Sequence, residues 1–173
     1  AVFGAAEVAE ILDMDGVVGI AELMDYVGVY STAPRMRDII AEGVKRSALL
    51  QGHAPALDGK ELVAYRLAGP ESDHESYTAD EARRKLRMGM RINRRISSLV
   101  NTLSALVDGF RNHAWRDLVS ICTDDVHAGD LLTIGHVNYV MGQAVAAGVP
   151  PVEAVKMATL NAAREYGFAE LGA

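Results

Sequence analysis

The sequence predicts an α/β fold in which a parallel sheet is built from successive strand–helix units. Short runs of apolar and β-branched residues alternate with longer segments of helical periodicity along the 173 residues. Each apolar run ends in a polar residue, as is typical of parallel sheets that gather their chemistry at the carboxyl ends of the strands. Half of the residues are apolar, which is enough for a core, so we expect one domain.

The first half of the chain contains three such units. The predicted strands are 16–24, 48–54 and 70–76, and the predicted helices are 37–47, 58–69 and 78–89. Asp58 is a suitable N-cap for the second helix, and Gly69 stands just past its end. Thr78 and Glu81 have the spacing of a capping box, which marks the start of the third helix.

The second half continues the alternation. Residues 90–97 (MRINRRIS) alternate like a strand, and another strand is predicted over 117–125. Helices are predicted over 99–110, 138–149 and 150–167, the last beginning at two prolines. No residue pattern recurs at a fixed period, so the repetition lies in the architecture.

Composition excludes several classes of partner. The net charge of −6 and the pI near 5.3 argue against nucleic acid. The basic run over 82–95 is interrupted by apolar residues, which predicts a solvated helix followed by a strand. Cys122 is the only cysteine, so there is no disulfide framework, and we interpret it as a small buried residue. No signal peptide or membrane-spanning run is evident, which predicts no membrane contact and a cytoplasmic protein.

Polar residues close five of the apolar stretches. They are Glu22, His53, His74, Arg95 and Asp124. Each has an ordinary interpretation by itself, because a lone histidine often hydrogen-bonds a loop and an acid often caps a helix. Successive parallel strands place their ends side by side, however, so two imidazoles and two carboxylates could converge on one point. His136 lies in the connection into a helix, where packing or a substrate-side loop contact is expected.

A converging set of this kind suits a metal-dependent hydrolase. Ions such as Zn²⁺, Mn²⁺ and Fe²⁺ accept mixed imidazole and carboxylate ligands, and a carboxylate can bridge two of them. A bound ion lowers the pKa of water and makes it a nucleophile, and a neighbouring aspartate could take the proton. The ordered set is more specific than any one of its members.

Several longer segments carry a family resemblance. The segments are GIAELMDYVGV (19–29), QGHAPALDGKELVAY (51–65), AGPESDHESYTADEARRKLRMGM (68–90), SICTDDVHAGDLLTIGHVNYV (120–140) and AVKMATLNAAREYG (154–167). In this order they resemble the bacterial and archaeal adenine deaminases, which belong to the metal-dependent amidohydrolase superfamily. The resemblance covers nearly the whole chain, and it implies a (β/α)₈ barrel of which this chain contains strands four to eight.

The resemblance implies a role for each strand end. Glu22 matches the glutamate of the fourth strand that bridges two metals. His53 and His74 match the histidines of the fifth and sixth strands, which bind the second metal. Asp124 matches the aspartate of the eighth strand, which binds the first metal and shuttles the proton of the reaction. The implied cofactor is a binuclear divalent centre, with Mn²⁺ or Fe²⁺ favoured and Zn²⁺ compatible.

Three further residues are implied to act near the substrate. Glu75 corresponds to an acid that faces the substrate ring. Arg95 falls where many relatives carry an arginine at the end of the seventh strand, and Asp125 would contact substrate or brace Asp124. Relatives often have a Gly-Ser pair just after that arginine, whereas this chain has RISS.

Part of the family pattern is absent from the sequence. The H-x-H or H-x-D pair that completes the first metal site does not occur among the 173 residues, and a full barrel takes ~250 residues. We therefore expect residues 1–173 to be a partial (β/α)₈ barrel, truncated at both ends and nearly inactive alone. Exposed barrel edges predict a homo-oligomer or association with another chain.

The function implied for the complete enzyme is hydrolytic deamination of adenine to hypoxanthine and ammonia. One alternative is another amidohydrolase of the cyclic amidase or deacetylase type, which the glutamate beside His74 disfavours. A second alternative is a part-barrel without catalysis that assembles with itself or a partner. The zinc deaminases with a P-C-x-x-C signature are excluded because the chain has one cysteine.

Overall fold

The computed structural model describes residues 3–98, 101, 103, 114–168 and 170–171. The chain forms two compact units, Ala1–Glu75 and Ser76–Ala173. The helix predicted over 99–110 lies outside the described residues, apart from positions 101 and 103.

The first unit alternates strands and helices as the sequence predicts. Its elements are α1 (Ala5–Leu12), β1 (Gly19–Leu23), α2 (Tyr26–Tyr30), α3 (Pro34–Lys45), β2 (Leu49–Gly52), α4 (Gly59–Ala68) and β3 (Ser72–Asp73). Strands β1 and β2 pair in parallel. Next to them, the amide of Glu71 donates to the carbonyl of Leu50 at 2.9 Å, which brings the short β3 alongside β2. The predicted parallel arrangement is confirmed in this unit.

One irregularity interrupts the register of β1 and β2. Ile20 pairs with Leu50, whereas Leu23 pairs with Gly52, so β1 has one more residue than β2 between the two pairs. An extra residue of this kind bends a strand and re-aims a side chain. Glu22 lies within the irregular stretch.

The second unit has the same alternation. Its elements are α5 (Ala79–Arg87), β4 (Arg91–Arg95), a 3₁₀ helix (Ala114–Leu118), β5 (Val119–Cys122), α6 (Ala128–Thr133), α7 (Val137–Ala146), α8 (Pro151–Ala158) and α9 (Leu160–Glu165). Strands β4 and β5 are parallel, with Ile92 opposite Val119 and Arg95 opposite Cys122. Apolar residues of these strands and of the helices form one core, which includes Leu86, Ile92, Val119, Ile121, Val140 and Met157.

The predicted helix caps are present. The carboxylate of Asp58 accepts a hydrogen bond from the amide of Gly59 at the start of α4. At the start of α5, Thr78 Oγ1 accepts from the amide of Glu81 at 3.2 Å. The carboxylate of Glu81 accepts from the amide of Tyr77 rather than from that of Thr78, so the capping box reaches one residue further back than predicted.

Two predicted helices have different limits. Helix α3 begins at Pro34 instead of residue 37, because proline has the backbone angle of a first helical turn and loses no needed hydrogen bond there. The prediction of a single helix over 150–167 is wrong. It is divided into α8 and α9 at Thr159, whose hydroxyl donates back to the carbonyl of Val155 at 2.8 Å.

The basic run over 82–95 is less solvated than predicted. Lys85 is fully buried, and its ammonium donates to Glu81 Oε1 at 2.8 Å and to Ser76 Oγ at 3.1 Å. Arg94 is also buried, donates to the carbonyl of Leu103, and has its pKa lowered by that burial. A solvated helix face was therefore the wrong interpretation for Lys85, although the helix and the strand are confirmed.

None of the described helices combines the length and the apolar character that crossing a lipid bilayer requires.

Candidate metal centre

Three of the predicted ligands meet in the first unit. Glu22 lies in β1, His53 directly follows β2, and His74 directly follows β3. Each offers one ligand atom, and the three atoms lie within 4.8 Å of one another. Glu22 Oε2 is 2.8 Å from His74 Nε2 and 3.1 Å from His53 Nδ1. Among the described residues, this is the one group of three or more such side chains that could hold a metal ion.

The two imidazoles are held against other rings. The rings of His53 and His74 pack edge to face with centroids 5.4 Å apart, and Tyr26 stacks on His53 at 6.5 Å. Both histidine side chains are 17% exposed and that of Glu22 is 31% exposed. The donor atoms are therefore fixed by packing while the group remains open to solvent.

A second carboxylate borders the group. Glu75 is buried, and its Oε1 lies 3.5 Å from His74 Nε2 and 3.9 Å from His53 Nδ1. Two carboxyl groups therefore lie beside two imidazoles in this group. The donor types are those that Mn²⁺, Fe²⁺ and Zn²⁺ accept. The residues therefore fit a divalent cation in chemistry and in spacing, while the second ion of the predicted binuclear centre and the identity of the metal remain predictions.

Two buried polar side chains beside the group were not predicted from the sequence. Tyr65 on α4 is fully buried, and its hydroxyl accepts from the amide of His53 at 2.9 Å and donates to the carbonyl of Leu23 at 3.2 Å. Burial raises the pKa of this phenol, which keeps it protonated. Asp73 is also fully buried, and its Oδ1 accepts from the amide of Ala54 at 2.8 Å.

The sequence contained a signal for both Tyr65 and Asp73. Tyr65 follows Leu62 by three residues, the spacing of one helix face, and both are buried on α4. Asp73 directly precedes His74. What the sequence did not show is that these polar groups hydrogen-bond the backbone of other strand ends.

The predicted residues of the second unit make a different contact. Arg95 ends β4, Asp124 stands two residues after β5, and Arg95 Nη1 donates to Asp124 Oδ2 at 2.5 Å. Asp124 has a φ of 122°, a backbone region that favours glycine and costs a residue with a side chain on the order of 1–3 kcal/mol. The predicted metal ligand is thus paired with the predicted substrate contact. The roles of both residues remain predictions.

Three neighbouring residues complete this region. Asp125 is exposed and accepts a backbone hydrogen bond from Ser98, so its substrate role remains a prediction. His136 is the N-cap residue of α7, and its Nε2 lies 3.0 Å from Thr123 Oγ1, consistent with a loop contact. Burial raises the pKa of Cys122 to about 12, so its thiol is protonated at neutral pH, as suits a structural residue.

Comparison with families of known proteins matches residues 4–173 to the Amidohydrolase family. The chain belongs to this family. The parallel strands and intervening helices of this amidohydrolase are part of the barrel fold of the family, and the predicted fold class is confirmed.

Curated relatives of this amidohydrolase are named adenine deaminase. The protein of Desulfitobacterium hafniense is 40% identical over 173 residues, covering 99% of this chain and 30% of the relative. Adenine deaminase 2 of Carboxydothermus hydrogenoformans is 39% identical, covering 100% of this chain and 30% of the relative. The adenine deaminase of Oleidesulfovibrio alaskensis is 42% identical over 161 residues, covering 92% of this chain and 28% of the relative. The chain thus spans less than a third of the length of these relatives.

Proposed function

We propose that this chain supplies a metal centre to an enzyme that hydrolyses adenine to hypoxanthine and ammonia. The observation that carries the proposal is the convergence of Glu22, His53 and His74, whose ligand atoms lie within 4.8 Å of one another. The names of the similar proteins support adenine as the substrate.

The proposed centre is binuclear. Glu22 would bridge the ions, His53 and His74 would bind the second ion, and Asp124 would bind the first. Bound ions supply Lewis acidity and a water of lowered pKa. Mn²⁺ or Fe²⁺ is the proposed metal, with Zn²⁺ compatible, because carboxylate and imidazole donors accept all three.

The remaining residues would handle substrate and protons. Water adds at C6 of adenine while the amino group leaves as ammonia, so a proton must pass from the water to the amine. Asp124 would take this proton on a carboxylate oxygen and return it to the leaving amine. Since Asp124 is paired with Arg95, this step requires the ion pair to loosen when substrate is bound.

Three residues would orient the purine. Glu75 would face the ring, supported by its position 3.5 Å from the imidazole of His74. Arg95 and Asp125 would contact the substrate from the ends of the strands in the second unit.

The proposal extends to location and assembly. It includes a cytoplasmic enzyme, supported by the single cysteine, and association of the chain with itself or a partner. Large apolar side chains are exposed in both units, among them Leu67 and Leu132, and association would cover such surface. It also includes low activity of the 173 residues alone, supported by the absence of an H-x-H or H-x-D pair.

The test uses a chimera in which this chain replaces the matching segment of the Desulfitobacterium hafniense relative. We expect the Mn²⁺-loaded chimera to release ammonia from adenine. His74→Ala should lower kcat/KM by more than about 100-fold and lower the bound Mn²⁺, because even indirect supports of a ligand cost about 10–100-fold. His113→Ala, which changes a histidine without a proposed role, is the matched control and should retain both the turnover and the bound Mn²⁺.

The outcomes separate the alternatives. Equal turnover and metal content in the His74→Ala chimera would exclude this metal centre. A folded chimera that binds metal but hydrolyses cyclic amides instead of adenine would assign a different amidohydrolase activity. A folded chimera that binds no metal would favour the part-barrel without catalysis.

A further inference from the structure

The three strand ends that carry the candidate ligands are joined by two side chains that donate no ligand atom. Tyr65 and Asp73 are each 0% exposed, and neither is among the three residues whose ligand atoms converge. Buried polar groups require partners, and both find them on the backbone next to ligand residues.

Tyr65 joins the ends of β1 and β2. Its hydroxyl donates to the carbonyl of Leu23, the residue after Glu22, and accepts from the amide of His53 itself. The same hydroxyl therefore donates to the end of β1 and accepts from the end of β2. This bridge ties the backbone beside Glu22 to that of His53.

The same hydroxyl lies where β2 meets β3. A Cβ added to Gly52 would stand 3.0 Å from it and only 2.2 Å from the carbonyl oxygen of Ser72. Because Gly52 has no side chain, the backbone of β3 can approach that of β2 closely. The phenol of Tyr65, which reaches in from α4, lies beside this contact.

Asp73 joins the ends of β2 and β3. It directly precedes His74, and its carboxylate accepts from the amide of Ala54, the residue after His53. The bond is buried, and 19 residues of chain separate its two ends. The two bridges together link all three ligand-bearing segments in a row.

We propose that Tyr65 and Asp73 are positioning residues that set the distances between the donor atoms of Glu22, His53 and His74 before a cation binds. This inference rests on the proposed metal centre and deepens it. Neither residue touches the cation in this scheme. Their effect is to remove the cost of ordering three strand ends at the moment of binding.

The test measures Mn²⁺ affinity of the chimera described under the proposed function by calorimetric titration, and ligand geometry by the visible spectrum of bound Co²⁺. Tyr65→Phe keeps the ring and removes the hydroxyl. We expect about 10–100-fold weaker Mn²⁺ binding and an altered Co²⁺ spectrum, the effect usual for loss of a group that orients a ligand. Asp73→Ala should behave alike, and Asp73→Asn should restore most of the affinity because its amide oxygen still accepts from Ala54.

Two matched variants separate positioning from general stability. Leu62→Ala opens a cavity on the same helix, lowers the unfolding midpoint and should leave Mn²⁺ affinity of the folded chain unchanged. Tyr30→Phe removes a tyrosine hydroxyl elsewhere in the first unit and should change neither property. The inference would be overturned if Tyr65→Phe bound Mn²⁺ as tightly as the parent. It would also be overturned if Leu62→Ala lost as much Mn²⁺ affinity as Tyr65→Phe.

Two further results keep the inference distinct from the proposed function. A parent chimera that binds no Mn²⁺ would overturn both, whereas a parent that binds it and a Tyr65→Phe variant that binds equally would overturn the inference alone. If the variants do not fold, amide hydrogen exchange of the metal-free parent tests whether the strand ends are ordered before a cation binds. Slow exchange of the His53 and Ala54 amides is expected, and exchange at the rate of an open loop would refute preorganisation.

Discussion

The strand ends of the first unit and those of the second carry similar residue types but make different contacts. In the first unit, Glu22 meets two imidazoles, and the ligand atoms of the group lie within 4.8 Å of one another. In the second, Asp124 meets the guanidinium of Arg95 at 2.5 Å, so its charge is already neutralised. The carboxylate of Glu22 is therefore bordered by candidate ligands, whereas that of Asp124 must release Arg95 before it can take its proposed role as a metal ligand.

The two units also differ in where buried polar side chains hold their strands. In the first, Tyr65 and Asp73 bond the backbone at the carboxyl ends, beside the ligands. In the second, Asn161 and Glu165 of α9 bond the first two residues of β5, at Val119 O and Ser120 Oγ. The first arrangement bears on ligand geometry, whereas the second fastens a helix to the start of a strand.

The largest effect should come from separating β2 and β3 in the first unit. Gly52→Ala places a Cβ 2.2 Å from the carbonyl oxygen of Ser72, so the backbone must move, and we expect the unfolding free energy to fall by about 3 kcal/mol. Mn²⁺ affinity should fall with it, since the ligand-bearing strand ends part. Denaturant titration and calorimetry measure the two quantities.

The matched control for this change is Gly142→Ala on α7. No atom lies within 4 Å of its added Cβ, so the variant should be neutral or more stable by about 0.5–1 kcal/mol. Unchanged Mn²⁺ affinity in a folded Gly52→Ala chain would show that close approach of these strands does not set the ligand distances.

A smaller effect is expected from the corresponding support in the second unit. Asn161→Ala removes the amide that donates to Val119 O at 2.7 Å and to Arg116 O at 3.0 Å. The loss of donors to these two carbonyls should cost about 2 kcal/mol of unfolding free energy while Mn²⁺ affinity stays at the parental value. Gln143→Ala on α7 is the control and should change the unfolding free energy little.

A fall in Mn²⁺ affinity in the folded Asn161→Ala chain would contradict the division of roles between the two units. It would mean that polar contacts at the start of β5 also bear on the ligand group.

The smallest effect should follow loss of a surface ion pair. The hydrogen bond from Lys156 lowers the pKa of Asp117, whose side chain is 56% exposed. Asp117→Asn should lower the unfolding free energy at pH 7 by less than about 1 kcal/mol, because solvent screens such a pair. A lowered folded-state pKa gives stability that is present above the unfolded value and is lost as pH falls through the folded value.

Denaturant titrations across the acid range check this prediction. The difference between parent and Asp117→Asn should vanish below the lowered pKa and shrink in high salt. Asp15→Asn, an exposed change in the first unit, is the control. A difference that persisted in strong acid would assign the effect to something other than the ion pair.

Local features of the chain were predictable because their partners are close in sequence. Asp58 and Thr78 cap helices within three residues of themselves, and Gly69 and Gly89 follow helix ends. Short apolar runs indicated parallel strands. The logic of parallel strand ends indicated that Glu22, His53, His74 and Asp124 would converge, and the first three meet in the first unit while the role of Asp124 remains a prediction. The resemblance to a barrel family implied which strands of the barrel these are, and family comparison confirmed the family.

Tertiary contacts decided the rest. Packing buries Lys85 completely, which the charge pattern of its helix did not predict, although its partners Glu81 and Ser76 lie only four and nine residues away. The bridge through Tyr65 joins atoms 12 and 42 residues apart, and that of Asp73 joins atoms 19 residues apart. The sequence by itself determined which residues could be ligands and which strands bear them. Only the folded chain determined the distances between them, because those distances are set by hydrogen bonds whose two ends have no fixed relation along the chain.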